Sequence, residues 1–83
     1  MSRPAKRSLT LRGHRTSVSL EDEFWQAFRD LAAENHRPIN DLAAEIDAAR
    51  ELESGLASAI RLYVLKELQA RVARAAHAGD TQD

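Results

Sequence analysis

The stretch GHRTSVSLEDEFW, Gly13 to Trp25, changes character at its middle, and that change decides the fold. Its first half alternates: Thr16, Val18 and Leu20 fall on one face of an extended chain, and Arg15, Ser17 and Ser19 on the other. Thr and Val favour the pleated conformation. Glu21, Asp22 and Glu23 then supply three acids for a first helical turn, where they complement the helix dipole. Phe24, Phe28, Leu31, Ala32 and Asn35 follow at helical spacing, which predicts an amphipathic helix over about 22–35.

Downstream the chain reads as helical. Pro38 disfavours helix at Arg37 and ends the first one. Asn40 is a suitable N-cap for a second helix to about Glu51, with Leu42, Ala43, Ile46 and Ala49 inside. Ser54-Gly55 punctuates, Ser54 being able to cap, and a third helix over about 56–77 carries LASAIRLYVLKEL. Its ladder of Leu56, Ile60, Val64, Leu68 and Val72, widened by Ala59, Leu62, Tyr63 and Leu65, presents more apolar surface than two short helices can cover. A second chain is the expected cover. Residues 78–83 read as a frayed tail.

Upstream, SLTL (Ser8 to Leu11) alternates briefly before Arg12-Gly13-His14 interrupts it, and fits either an arm or a weak edge strand. Residues 1–12 are expected to form a flexible basic arm, and residues 13–77 the folded domain. Residues 1–20 hold Arg3, Lys6, Arg7, Arg12 and Arg15 without an acid, a charge of +5. The remainder holds seven Lys/Arg against thirteen Asp/Glu, so −6, which together give the net −1. A basic end on an acidic body suits a polyanionic partner, or else a solvated tail.

At 83 residues with four aromatics and no Cys, the chain is near the size where one core is marginal, and disulfides and thiolate metal sites are excluded. His14, His36 and His77 match no ligand spacing, so no metal or other cofactor is expected. Oligomerisation remains as support. No apolar run approaches a membrane span and the N-terminus lacks a secretory h-region, so a cytoplasmic protein is expected.

A lone strand leaves both edges unpaired. The simplest remedy is a symmetric copy: two RTSVSL strands pairing antiparallel about a two-fold axis. The expected fold is therefore mainly α, with one N-terminal strand forming an intermolecular two-stranded ribbon, then about three helices, in an intertwined homodimer. The Thr16/Val18/Leu20 face lies on the helices. The Arg15/Ser17/Ser19 face is exposed, and a ribbon of this width fits the DNA major groove.

RTSVSLEDEFWQAFRDLA resembles the ribbon-helix-helix transcription factors. GHRTSVSLEDEFW with the later SAIRLYVLKEL (Ser58 to Leu68) is most similar to a family of short bacterial ribbon-helix-helix proteins, over about Lys6 to Leu68. The resemblance implies base contacts from Arg15, Ser17 and Ser19 and a shared dimer core from Thr16, Val18 and Leu20. It also implies a phosphate held at the start of the helix after the first. By spacing that helix begins at Asn40; by the S-A-I-R motif it begins after Ser54-Gly55, which no acid follows for ten residues. The choice favours Ser54 and Gly55.

Among the remaining residues, Lys6, Arg7, Arg12 and His14 are candidate phosphate contacts, and Phe24, Phe28, Ile60 and Val64 are core. Ser19 also fits a capping box with Asp22, in which case it never reaches a base. Trp25 reads as packing. Catalysis finds no foothold: the sequence has no Cys, no His near a Ser or acid partner, and no phosphate loop. The leading expectation is a homodimeric, bacterial, repressor-like regulator that binds double-stranded DNA. The alternatives are a protein-binding adaptor of the antitoxin kind, masking a toxin, or a helical dimer that has lost DNA affinity. The operator, the regulated genes, an effector and assembly beyond the dimer are not legible in the sequence.

Overall fold

In the computed structural model, which describes residues 2–80 and the side chains of 2–76, two strands precede three helices: β1 (Ala5–Leu11), β2 (His14–Leu20), α1 (Asp22–Glu34), α2 (Ile39–Ala49) and α3 (Leu56–Asp80). The expectation of a single strand is corrected. β2 has its antiparallel partner in its own chain, in a register that sets Leu11 opposite His14 and Ala5 opposite Leu20. Residues 5–11, expected within a flexible arm, form that partner strand.

The reason is the turn. Arg12 and Gly13 are its two central residues, and both have positive φ, 51° and 84°. That pair is the type I′ turn, whose twist matches that of the flanking strands. Arg12-Gly13 is a weaker signal than Asn-Gly, and in the sequence alone it reads as an interruption.

Directly opposed residues of a hairpin share a face. Leu9, Val18 and Leu20 are buried on the inner face with half-buried Arg7 and Leu11, while Lys6, Ser8, Thr10, Arg15, Ser17 and Ser19 line the exposed outer one. Thr16, expected in the core, is also on the inner face but is exposed. It sits opposite Leu9 near the hairpin tip and on the rim of an open groove rather than under the helices.

The core joins Leu9, Val18 and Leu20 to Phe28, Leu31 and Ala32 of α1, Leu42 and Ala43 of α2, and Ile60 and Val64 of α3. Phe28 is fully buried and meets Tyr63 edge-on at 6.3 Å. Phe24 is half-buried, and Trp25 packs beside Phe28 at 6.4 Å.

The helix ends differ in detail from expectation. α1 begins after Glu21, which makes no side-chain cap. The capping box does not form because Ser19 projects from the outer face of β2. The hydroxyl of Ser2 accepts from the Asp22 N–H at 3.1 Å instead. α1 closes in a Schellman turn: His36 N–H donates to the Ala33 carbonyl at 3.0 Å and Arg37 N–H to that of Ala32 at 2.9 Å, with His36 at φ 55°. α2 starts two residues earlier than expected, with Pro38 rather than Asn40 in the cap place and its carbonyl accepting from the Leu42 N–H at 3.1 Å. It ends at Ala49 rather than Glu51. α3 extends to Asp80, past the expected end at 77, and residues 81–83 of the expected frayed tail lie outside the described residues. Among the described residues no helix is long and apolar enough to cross a membrane.

Candidate nucleic-acid interface

The outer face of the hairpin is polar and carries no acidic side chain. Lys6, Ser8 and Thr10 on β1 stand across from Ser19, Ser17 and Arg15 on β2, all six exposed. The face offers one ammonium, one guanidinium and four hydroxyls, with no carboxylate among its own side chains. Hydroxyls both donate and accept, and a guanidinium gives a fork of donors. Such a face suits a partner carrying both negative charge and polar edges. Arg12 at the turn and His14 at the start of β2 are also exposed and extend the basic character to the tip.

Arg15, Ser17 and Ser19, singled out by alternation, thus share one face, and β1 adds three residues to it. Arg7, grouped with the phosphate contacts by sequence, lies on the other face. Its guanidinium pairs with Asp22, donates from Nε to the Leu20 carbonyl at 3.3 Å and lies 5.7 Å from the Trp25 ring. It fastens the hairpin to α1.

The main-chain edges of the hairpin differ. On β1 the Thr10 N–H turns away from β2 and donates to Asn40 Oδ1 at 3.0 Å. This bond explains why Asn40 is not a cap: its side chain is occupied by the strand edge. In an antiparallel pair, residues pointing their main chain outward alternate with those that bond across. Lys6, Ser8 and Thr10 therefore face the α2 side, and Arg15, Ser17 and Ser19 face the opposite, open edge of β2. On that edge the Ser19 carbonyl accepts from Arg61 Nη2 at 3.3 Å, and among the described residues no further strand pairs with it.

Arg61 leads a stripe along α3. Leu65, Leu68 and Val72 continue at its helical spacing and are 48%, 41% and 70% exposed. With half-exposed Leu62 they leave an apolar flank running away from the β2 edge.

At the other end, an open groove of about 490 Å³ separates the hairpin tip from α2. It brings Arg12, His14 and Arg15 to the same rim as Arg50 and Leu56, the first residue of α3. Gly55 stands before that helix, its carbonyl accepting from the Ala59 N–H at 3.0 Å, and the first turn of α3 has no acid. The first turn of α2 contains Asp41. The loop before α3 is held by Arg50, which donates to Asp47 Oδ1 and to the Ser54 carbonyl, both at 2.7 Å.

Comparison with protein families matches residues 4–68 to the model of the ribbon-helix-helix domain. No curated protein and no solved structure gives a significant match.

Proposed function

We propose a function from one premise: over residues 4–68 the chain belongs to the ribbon-helix-helix domain family. Proteins of this family generally dimerise and bind DNA, and are typically non-enzymatic regulators. Our reading is that this chain is a bacterial, repressor-like transcriptional regulator that binds double-stranded DNA as a homodimer, in the cytoplasm at the nucleoid. The observation that carries it is the acid-free outer face of the hairpin on a chain whose net charge is −1.

The dimer follows from the two hairpin edges. β1 is flanked by α2 through the Thr10–Asn40 bond, so a second copy joins at β2. A two-fold axis at Ser17 sets Ser17 against its own copy and Arg15 against the partner's Ser19, each with outward main-chain groups. The two Arg15 side chains are kept apart, and exposed Thr16 comes to face the partner's Val18 on the inner side. This gives Thr16 the buried place its alternation with Val18 and Leu20 predicts. The apolar flank of α3 continues from the same edge.

In the groove, Arg15 and Ser17 contact base edges, and Ser19, freed from any capping role, joins them. Arg12 and His14 contact phosphate beside them. The start of α3 at Gly55, without a nearby following acid, holds a further phosphate through its amides. Arg7 is withdrawn from the phosphate contacts because its guanidinium is engaged by Asp22 and Trp25.

Selection from a random duplex library identifies a preferred site, and footprinting tests it. The Arg15→Ala/Ser17→Ala variant is expected to lose protection of that site while its circular dichroism is unchanged. Unaltered protection by the folded double variant would sink the assignment. The adaptor reading is favoured by the exposed Leu62, Leu65, Leu68 and Val72. It predicts that the native chain leaves even low-salt nonspecific duplex unbound.

A further inference from the structure

The hairpin changes what a ribbon of this chain would look like. If β2 pairs with β2 of a second copy, as proposed above, each β2 still carries its own β1. The sheet presented to DNA then has four strands, in the order β1, β2, β2, β1, and not two. We infer that inner and outer strands divide the contacts between them. β2 residues read bases, whereas Lys6, Ser8 and Thr10 of β1 grip the phosphate walls of the same groove. This inference rests on the DNA-binding reading and deepens it.

Strand spacing and groove width set the division. Neighbouring strands lie ~4.8 Å apart, which puts each β2 axis ~2.4 Å and each β1 axis ~7.2 Å from the two-fold. The major groove is ~12 Å wide, so its walls stand ~6 Å from its centre. Only the β2 pair fits over the groove floor, and β1 comes over the sugar-phosphate rim.

The side chains suit those places. Ser8 is directly across from Ser17, and Thr10 from Arg15, on the same exposed face. A residue pair therefore spans floor and wall at each step. Lys6, Ser8 and Thr10 bring an ammonium and two hydroxyls, which are phosphate donors. Thr10 is fixed in position because its main-chain N–H is held by Asn40. Arg7, between Lys6 and Ser8, faces inward and locks the strand to α1 through Asp22.

The test separates affinity from preference. Lys6→Gln, Ser8→Ala and Thr10→Val are exposed changes on one strand, and Val keeps the β-branched shape of Thr10. Binding of the preferred duplex and of a scrambled duplex is measured across a salt series. Lys6→Gln is expected to make the log–log salt slope shallower by ~1.8, two lost phosphate contacts per dimer at ~0.9 each. Ser8→Ala/Thr10→Val is expected to weaken both duplexes by at least about tenfold, four hydrogen bonds per dimer being lost. In each case the base preference found by library selection stays that of the wild type. A changed preference would show that β1 reads bases, and unchanged affinity and slope would show that it does not touch DNA; either overturns the inference while leaving the regulator reading in place. If the wild type binds no duplex at low salt, the regulator reading fails and this inference falls with it.

Discussion

The guanidinium of Arg61 holds Glu21 by one carboxylate oxygen, with Nε 3.1 Å and Nη2 3.0 Å from Oε1. The same Nη2 reaches the Ser19 carbonyl, and the guanidinium carbon lies 5.8 Å from the Phe24 ring. One side chain of α3 thus ties together the end of β2, the cap residue of α1 and the aromatic at its start. Arg61 is the last residue of the S-A-I-R stretch, Ser58 to Arg61, whose resemblance to the family gave it no structural role.

This contact predicts an acid response. The Glu21 carboxyl is held below its ordinary value near 4.5, first by its own backbone N–H and then by Arg61. Glu23 is lowered by the Ser2 hydroxyl, and Glu45 by Arg37. A folded value below the unfolded one means the stabilisation is complete above the unfolded value and is lost as pH falls through the folded value. Urea midpoints are therefore expected to fall on acidification from about pH 5 to pH 3. Glu21→Gln should start lower at neutral pH and lose less over that interval; an identical pH profile would show that the pair contributes nothing.

Leu9 tests whether the hairpin belongs to the fold. It is 3% exposed in the shared core. Leu9→Ala is expected to cost about 2–5 kcal/mol in urea unfolding. Fully exposed Leu52 serves as the control, and Leu52→Ala should stay within about 0.5 kcal/mol of wild type. A neutral Leu9→Ala would return residues 1–12 to the status of an arm.

Two backbone positions are expected to respond with opposite signs. Gly13 has φ 84° with open space around a Cβ, so Gly13→Ala carries only the conformational penalty, about 1 kcal/mol of destabilisation. His36 takes the glycine place of the Schellman turn at φ 55°. His36→Gly should stabilise by about 0.5–1 kcal/mol. Thermal melts of the two variants beside wild type measure both.

The exposed flank of α3 sets a prediction about assembly. Leu65→Glu/Leu68→Glu places charges on side chains already 48% and 41% exposed, so the fold of one chain should persist. Sedimentation equilibrium is expected to show the wild type as a dimer and the variant dissociating at at least tenfold higher concentration. An unchanged association constant would mean that α3 is not at the interface.

Much of this molecule is legible without coordinates. Alternation places Val18 and Leu20 inward and Arg15, Ser17 and Ser19 outward, because the period of a strand is set by covalent geometry alone. The apolar ladder of α3, and an uncovered part of it, follow equally from helical spacing. Pairing is what chain-local rules miss. Whether SLTL is an arm or a strand depends on Arg12 accepting a positive φ, and that cost is met only by bonds to β2 and by the burial of Leu9. Three further assignments turn on groups distant in sequence. The Asp22 N–H is answered by Ser2 and not by Ser19, which the hairpin turns to its outer face; Asn40 is not a cap because it holds Thr10; and Arg7 is turned inward by Asp22 and Trp25. The order of residues is enough to set the periodicity of each segment and the faces it presents. Which polar group answers which is settled in the folded chain, since a hydrogen bond depends on what lies within about 3 Å in space, irrespective of separation along the chain.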